Sequence, residues 1–531
     1  MSHDPIPPSS PSPGSDGKPA RNHTGQQALV KNVVFSWAGQ GVFIVAGFIM
    51  PRLIDQNLGR DMLGVWDFCW ALANYFYFIQ GGVTSAVNRY VGRYWSTQDI
   101  AGISRVVSCA TASLSVAGLA IALVSGLACF LVPSIFAERL AGHADEARWV
   151  VLLLGLSLAV QTAFGAFNGV ITGCHRWDLK NLIHAGWYAV AAVAMAAVLL
   201  LGGSLSMLAL IVFLSECLGQ ATRALFSFRI CQGLRLGPRL VDRATIRELH
   251  SFGARALLPQ ITNMVKGTTT SMLIVIYLGP GALALVMRPQ SLVRHVNTMV
   301  RRMTLTLVPT VSSLEAAGKA REIRGLLIRA VRYTLYLELP VMLGLAVFGA
   351  PIVELWMGPE YARWGLIAAI MLLSIIPGVA MPMTQVLGGL NAHGRAGLGQ
   401  LVGALVSIIV VFITLRSGGG VVGAVMGVLV PVNMVALIYL PYLAARRIGM
   451  RTSTFVWKAI LTPIVQLLPL GFAFLAIRLA MFDNPIGAMI ASAAVLGPVT
   501  GYLYWRYVLP VRLKEGLMRV VCRRKASTLL S

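Results

Sequence analysis

The chain is divided into apolar runs about as long as a helix that crosses a lipid bilayer, and this limits its possible folds more than any other feature. Such a helix needs about 20 residues. The clear runs are residues 33–55, 107–131, 149–171, 183–201, 207–226, 256–278, 333–352, 366–387, 398–415, 421–443, 459–477 and 486–505, and two more polar runs of similar length are 68–86 and 283–303. The sequence therefore predicts an all-α polytopic membrane protein with fourteen transmembrane helices.

The composition excludes a soluble globular protein. Hydrophobic residues make up 56% of the chain, and only 12% of the residues are charged. A soluble domain carries about 25% charged residues, so this chain has too little polar surface to cover itself in water. Lipid must therefore form part of its solvent.

The net charge of +24 has two possible readings, a nucleic-acid site or the excess of cations in cytoplasmic loops of membrane proteins. With the N-terminus inside, the cations gather in the connections that follow even-numbered spans. One of these connections holds Arg235, Arg239, Arg243 and Arg247. The opposite connections are short and poor in cations. This alternation predicts a multi-pass protein with both termini cytoplasmic and without a nucleic-acid partner.

The sequence gives no indication of catalysis or of a cofactor. The seven cysteines have no CxxC spacing, which argues against a metal site or a disulfide framework. The short external connections contain no HExxH, GxSxG or DxD motif in a suitable position. A membrane enzyme that acts on glycans is therefore the weakest alternative, and we expect no metal, no cofactor and no catalytic residue.

Similar segments recur at an offset near 220 residues, which indicates an internal duplication of six spans. Leu58-Gly59 corresponds to Leu278-Gly279, the segment from Asp99 to the one from Lys319, and His175 to His393. The predicted organisation is a disordered cytoplasmic tail (1–28), an N-lobe (29–228), a cytoplasmic linker (229–251), a C-lobe (252–445), two extra spans (446–508) and a basic cytoplasmic tail (509–531). Two lobes around a central cleft are typical of a transporter.

The segment MPRLIDQNLGRDMLGVWDFCWALANYFYFIQGGVTSAVNRYVGRYW, from Met50, resembles the start of the polysaccharide transporter (Wzx-type) family of the multidrug/oligosaccharidyl-lipid/polysaccharide (MOP) flippase superfamily. The shared features are Pro51, the LG…GVW turn, the aromatic second span and the basic NRYVGR exit. The second half adds FGARALLPQITN and VPTVSSLEAAGKAREI.

The resemblance implies alternating access of two six-helix lobes that flip an undecaprenyl-diphosphate-linked oligosaccharide across the bacterial inner membrane. The cargo would be an O-antigen or exopolysaccharide repeat unit, and a polysaccharide polymerase and glycosyltransferases would be partners. A flippase for the peptidoglycan precursor lipid II is the nearest alternative, because it also has fourteen spans. A multidrug exporter of the same superfamily is a more distant one.

Charged side chains inside spans are costly and mark candidate sites. Lys266 in span seven and Arg294 in span eight lie at similar predicted depth, and Arg288 lies about 9 Å nearer the outside. We expect these three cations to face a wet cavity and to bind the diphosphate, although pairing with acids inside a lobe is the alternative. Arg301 and Arg302 are expected only to close the cytoplasmic end of span eight. Arg52, near the outer end of span one, is either an exit-side contact or an interfacial cation.

The N-lobe offers polar groups instead of cations. Gln40 in span one and Asn74 and Gln80 in span two are candidate sugar contacts, with ordinary helix packing as the alternative. Two acids lie inside spans, Glu216 in span six and Glu338 in span nine. Either carries protons for ion coupling or neutralises a nearby cation.

Overall fold

The computed structural model describes residues 26–76, 83–255, 258–304 and 307–505, and every regular element in these ranges is a helix. The all-α class is therefore confirmed. Most of the predicted N-terminal tail, the C-terminal tail and Gln80 lie outside the described residues.

The first half of the chain forms eight helices, most of which pack against their neighbours in sequence. They are α1 (Gln26–Leu58), α2 (Arg60–Phe76), α3 (Val83–Ser96), α4 (Ile100–Phe136), α5 (Ala144–Ala163), α6 (Gly165–Gly173), α7 (Trp177–Leu200) and α8 (Leu205–Ile230). This set corresponds to the predicted N-lobe. The linker that follows contains α9 (Arg243–Arg255).

The second half forms the predicted C-lobe and the two extra spans. Its helices are α10 (Leu258–Leu278), α11 (Pro280–Thr304), α12 (Leu307–Ala316), α13 (Ala320–Met357), α14 (Trp364–Leu373), α15 (Ile375–Gly389), α16 (His393–Arg416), α17 (Gly420–Met434), α18 (Leu440–Arg447), α19 (Thr452–Val456), α20 (Thr462–Ala480) and α21 (Pro485–Leu503). Single π-turns, Val435–Tyr439 and Trp457–Leu461, join α17 to α18 and α19 to α20.

Ten helical stretches of the described chain are long and apolar enough to cross a membrane, and they coincide with ten of the fourteen predicted spans. The other four predicted spans fall on α1, α2, α10 and α11. Large apolar side chains point outward from the long helices. Phe130 and Leu201, for example, are 79% and 86% exposed. Since water would not tolerate so large an apolar surface, these side chains face lipid.

Equivalent turns in the two halves support the predicted duplication. Gly59, between α1 and α2, has φ +92°, and Gly279, between α10 and α11, has φ +83°. Glycine adopts this left-handed backbone without a steric penalty. The turn after α6 also matches the turn after α15, but it pairs His175 with Asn391, both at positive φ. The expected pairing of His175 with His393 is therefore shifted by two residues.

The linker is attached to the N-lobe. The Tyr90 hydroxyl on α3 donates a hydrogen bond of 2.6 Å to Glu248 of α9. The main-chain N–H of Arg235 donates to the Ser104 hydroxyl of α4 at 3.1 Å. Leu249 is buried in the cluster of apolar side chains below α9. The linker therefore belongs structurally to the N-lobe.

The two lobes contact each other at one end of the molecule, which we call the closed end and define by Asp55, Gly64, Pro280, Trp356 and Tyr361. The indole N–H of Trp356 donates to the Phe48 carbonyl at 2.6 Å, and the Tyr361 hydroxyl donates to Asp55 at 2.5 Å. Arg60 and Glu360 add an exposed ion pair at 2.9 Å. In the predicted topology this end is external.

Candidate functional site: a basic cavity between the lobes

A cavity of about 1090 Å³ lies between the lobes, beyond the closed end. The N-lobe contributes α2 to its wall, and the C-lobe contributes α10, α11, α15, α16 and the α17–α18 segment. Its polar and charged lining residues are Asp67, Asn74, Thr262, Lys266, Thr268, Ser271, Gln290, Arg294, Asn297, Arg301, Thr384, Gln385 and Gln400. The cavity is therefore built mainly by the C-lobe and closed on one side by α2.

The cavity is basic because α10 and α11 both turn cations toward it. Lys266 comes from α10, and Arg294 and Arg301 come from α11. On α11 the lining positions are 287, 290, 294, 297 and 301. Steps of three and four residues place these positions on one helix face. Within the described chain, none of the three cations forms an ion pair.

Arg288 lies differently from the expectation. It is buried, with a side chain only 6% exposed, and it forms an ion pair with Asp67 of α2. It is not among the residues that line the cavity, because its position on α11 is turned from the lining face toward α2. The pairing alternative therefore applies to Arg288, although the partner belongs to the opposite lobe.

The N-lobe wall presents aromatic and amide groups. Asn74 lines the cavity as expected, next to Trp70 and Ala71. Beside them the Tyr75 hydroxyl forms a hydrogen bond of 2.5 Å with Thr269 of α10, which joins the lobes. Gln40 is half-buried on α1, and it is not part of the cavity lining. Arg52 lies beside Gly358 at the closed end, outside the cavity.

The two candidate coupling acids lie inside separate lobes. Glu216 accepts hydrogen bonds from Gln220 at 2.6 Å and from Arg223 at 3.3 Å within the N-lobe. This arrangement agrees with the alternative in which Glu216 neutralises a cation. Glu338 on α13 is completely buried, and neither carboxyl oxygen has a hydrogen-bond partner among the described residues. It lies against Gly378 of α15, where a Cβ atom would be 1.4 Å from Oε2.

Sequence reasoning missed two charged residues of the site. Asp67 lies just before the predicted span 68–86, whereas α2 begins at Arg60 and so includes it. The signal was available, since an acid two turns inside an amphipathic helix opposite an arginine-rich span is a natural partner. Arg301 was expected only to close the helix end. It lies two turns after Arg294, and this spacing places it on the same face.

The arrangement suits an anionic ligand with polar groups. Three cations in a confined cavity attract an anion more strongly than they would in bulk water, since the surrounding dielectric constant is lower. The amides of Asn74, Gln385 and Gln400 can donate and accept hydrogen bonds, and the Trp70 ring offers an apolar face. Among the described residues there is no cluster of metal-binding side chains.

Residues 107–364 match the family described as "Polysaccharide biosynthesis protein". A search of curated proteins finds no match to this sequence. The structure is similar to three solved transporters that share the fold at low sequence identity.

The first is the inward-facing conformation of a multidrug resistance MATE family transporter of the MOP superfamily, with 14% identity, TM-score 0.67, and coverage of 79% of this chain and 98% of that one. The second is the lipid II flippase MurJ in an inward closed conformation, with 12% identity, TM-score 0.67, and coverage of 90% and 99%. The third is a MOP superfamily transporter from Pyrococcus furiosus Vc1 (DSM3638), with 15% identity, TM-score 0.60, and coverage of 80% and 96%. Its description refers to a binding pocket of reversed polarity.

The structure is more similar to the inward-facing than to the outward-facing conformation of the MATE transporter. The outward-facing MATE transporter gives a TM-score of 0.58, lower than the 0.67 of the inward-facing one. The family match over residues 107–364 and the fold agree with the resemblance found in the sequence. The chain is thus a multi-pass membrane protein with the fold of the MOP superfamily transporters, and about half of it is similar to the polysaccharide biosynthesis family.

Proposed function

We propose that this protein flips an undecaprenyl-diphosphate-linked oligosaccharide, an O-antigen or exopolysaccharide repeat unit, across the bacterial inner membrane by alternating access. The observation that carries the proposal is the convergence of Lys266, Arg294 and Arg301 on one cavity between the lobes. Cations that line a cavity within the membrane and have no ion-pair partner among the described residues are costly, and an anionic substrate would offset that cost.

The diphosphate is the part of the substrate that the cations suit. Its oxygens accept charge-assisted hydrogen bonds, which contribute about 1.5–3 kcal/mol each. Arginine binds such oxygens in a bidentate manner, and lysine acts as a mobile point charge. Lys266 and Arg294 come from adjacent helices, so a diphosphate between them would contact both.

The remaining lining suits the sugars. Asn74, Gln385 and Gln400 offer amide groups for hydroxyls, and the Trp70 ring can pack against a sugar ring. The cavity volume of about 1090 Å³ exceeds the roughly 300–1,000 Å³ range of ordinary ligand pockets, which is consistent with a bulky glycan head group. We propose that the polyprenyl tail stays in the surrounding lipid.

The closed end gives the direction. If both termini are cytoplasmic, the interlobe contacts of Trp356 and Tyr361 close the external side, so the cavity is loaded from the cytoplasm. The conformation then corresponds to the state that receives the substrate. A polymerase and glycosyltransferases would be the enzymes that use and make the lipid-linked glycan.

Complementation tests the proposal. A bacterial strain that lacks its own oligosaccharide flippase would express the intact chain, or the Lys266→Ala, Arg294→Ala double variant at the same level. We expect the intact chain to restore surface glycan and the double variant to fail. Arg395→Ala serves as the control, since Arg395 is exposed on α16 and does not line the cavity. Restoration by the double variant would reject the basic site.

The lipid II alternative is supported by the likeness to MurJ, which covers 90% of this chain. The same diphosphate chemistry would serve that substrate. Depletion of the lipid II flippase in a host distinguishes the two functions. Rescue of growth in that strain without restored surface glycan in the first strain would favour lipid II. A multidrug exporter is disfavoured because the cavity cations would repel a cationic drug.

A further inference from the structure

We infer that, in the absence of substrate, the Asp67 carboxylate binds Arg288 in place of a substrate phosphate. A diphosphate then competes with Asp67 for this arginine and so releases the closed end. The inference rests on the proposed function, because it concerns the diphosphate. It adds a second anion-binding position and a role for a residue that sequence reasoning missed. The pair of Asp67 and Arg288 is here called the interlobe latch.

The latch joins the two lobes at the boundary between the closed end and the cavity. Asp67 is on α2 of the N-lobe and Arg288 on α11 of the C-lobe. Less than one turn before Asp67, Gly64 is in close contact with Pro280. Asp67 itself lines the cavity, whereas Arg288 does not. The latch is therefore a part of the closed end that a cavity ligand can reach through Asp67.

The latch is buried, so breaking it requires a replacement partner. The side chains of Arg288 and Asp67 are 6% and 15% exposed. Arg288 Nε has no hydrogen-bond partner in the described chain, so the guanidinium has a free donor even when it is paired. A buried arginine left without its carboxylate would be strongly destabilised. An anion that replaces Asp67 prevents this destabilisation of Arg288, whereas water compensates for it only poorly.

The cavity brings that replacement anion to the right place. Arg294, six residues after Arg288 on α11, lines the cavity and also attracts Asp67 electrostatically. A diphosphate held by Arg294 would repel the Asp67 carboxylate, and it would offer its own oxygens to Arg288. Asp67 and the phosphate would then compete for the same cation. Once Arg288 is held by the phosphate, the N-lobe loses its buried ionic attachment to α11.

This competition would couple the opening of the closed end to the binding of substrate in the cavity. Without a ligand the latch holds the lobes together at the closed end, and an empty opening is disfavoured. With a diphosphate bound, Arg288 keeps an anionic partner after the lobes separate, and Asp67, which lines the cavity, is hydrated there. A ligand shifts a conformational equilibrium only by its difference in affinity for the two states, and the exchange of partners at Arg288 supplies such a difference.

The experiment uses the full chain in lipid nanodiscs. Spin labels are placed at Asn57→Cys and Glu354→Cys, two exposed positions at the ends of α1 and α13, in a background without native cysteines. Their distance distribution reports the closed end. It is measured without ligand, with inorganic phosphate and with inorganic pyrophosphate. In the parent protein we expect pyrophosphate to increase the open fraction, and phosphate to do so less.

Asp67→Asn is expected to raise the open-to-closed ratio at least tenfold without ligand, and to abolish most of the response to pyrophosphate. The charge-exchanged Asp67→Arg, Arg288→Asp variant re-forms the pair and should close the end again in the absence of ligand. Glu360→Gln is the matched control, because it breaks the exposed ion pair with Arg60 at the same end, and exposed pairs contribute little.

Two results would overturn the latch. One is an unchanged distance distribution in Asp67→Asn, with the parent's response to pyrophosphate. The other is a charge-exchanged protein that stays open. Should Asp67→Asn alone fail to fold, the charge-exchanged variant still decides the question. Pyrophosphate carries no glycan, so the distance measurement does not depend on the oligosaccharide. If the closed end responds to pyrophosphate but the chain fails complementation, only the oligosaccharide substrate is rejected. Successful complementation with an unresponsive end would reject only the latch.

Discussion

Gly64 of α2 and Pro280 at the start of α11 are so close that a Cβ atom on Gly64 would lie 1.9 Å from the Pro280 carbonyl oxygen. The obstacle is main chain, so it cannot rotate away as a side chain would. This close contact between the lobes therefore depends on the absence of a side chain at position 64. This dependence makes the closed end sensitive to a single methyl group.

Gly64→Ala should accordingly separate the lobes at the closed end. We expect a longer distance between labels at positions 57 and 354 and a protein that is less stable in detergent by about 1–3 kcal/mol, the usual cost of overpacking. Distance measurements and thermal unfolding check the two effects. Gly47→Ala is the control, since a Cβ there meets nothing within 4 Å. An unchanged distance in Gly64→Ala would show that the lobes adjust around the methyl group.

Much of the fold followed from the sequence because lipid imposes a simple rule. Wherever the structure describes them, the predicted spans lie on helices, since the backbone has no other way to satisfy its hydrogen bonds in hydrocarbon. The turns at Gly59 and Gly279 were visible as repeated Leu-Gly pairs. The breaks inside spans were not predicted, although the sequence carries a signal for one of them. Pro377 has no main-chain N–H to donate to the Leu373 carbonyl, which accepts from Asn433 instead, and the predicted span divides into α14 and α15 at Ser374.

Glu338 and Gly378 form a second pair in which a glycine provides the necessary space. Gly378→Ala would place a Cβ atom 1.4 Å from Glu338 Oε2, inside a region where Glu338 is completely buried. We expect a marked loss of thermal stability. Glu338→Ala removes the obstructing carboxyl group, so the Glu338→Ala, Gly378→Ala double variant should be more stable than Gly378→Ala alone. Additive losses in the double-mutant cycle would show that the two residues do not interact.

The carboxyl group of Glu338, which has no hydrogen-bond partner among the residues that the structure describes, leads to a separate prediction. A buried polar group without a hydrogen-bond partner costs about 1–3 kcal/mol. Glu338→Leu should therefore raise the unfolding temperature. If Glu338 carries protons for transport, the same variant should also lose surface-glycan complementation. Stabilisation with normal transport would exclude the coupling role, and destabilisation would show that the carboxyl group has a partner in the membrane.

Sequence reasoning located the cavity better than it assigned the residues. Lys266, Arg294 and Asn74 were found because polar groups in apolar runs are conspicuous. The roles of Arg288 and Arg301 depend on the rotation of α11 about its axis, and a difference of one position turns a side chain by about 100°. That rotation is set by contacts with α2 from the other lobe. The rotation of α11 therefore cannot be predicted from the sequence of this span alone.

Arg301 gives the corresponding test. Arg301→Ala should weaken binding of a polyprenyl diphosphate to the purified protein by about 10–100-fold, since a hydrogen bond to a charged group contributes about 1.5–3 kcal/mol. Titration in nanodiscs measures the affinity. Arg395→Ala should bind as the parent does, because Arg395 is exposed outside the cavity. Equal affinities for both variants would indicate that Arg301 only closes the cytoplasmic end of α11, as the sequence predicts.

Asp242 begins the linker helix α9, and it gives a prediction that depends on pH. The Thr245 hydroxyl and the main-chain N–H groups of Ala244 and Thr245 donate hydrogen bonds to its carboxylate. These bonds, with the Thr245 hydroxyl first, lower the pKa of Asp242 below its ordinary value of 3.8. The contribution to stability is thus complete above pH 3.8, and it is lost as the pH falls through the lowered pKa of the folded protein.

Cys109 of α4 reports whether the linker is attached. Its thiol is buried, and it accepts a hydrogen bond from the Asp242 N–H at 3.3 Å. In a chain whose other cysteines are replaced, Asp242→Ala should speed the modification of Cys109 by a disulfide reagent that reacts in acid, because α9 loses its N-cap. The difference from the parent should be large at pH 7 and should vanish once Asp242 is protonated in the parent. A difference that persists in acid would mean that the side chain acts through packing, since the carboxylate charge would then have no part in holding the linker against α4.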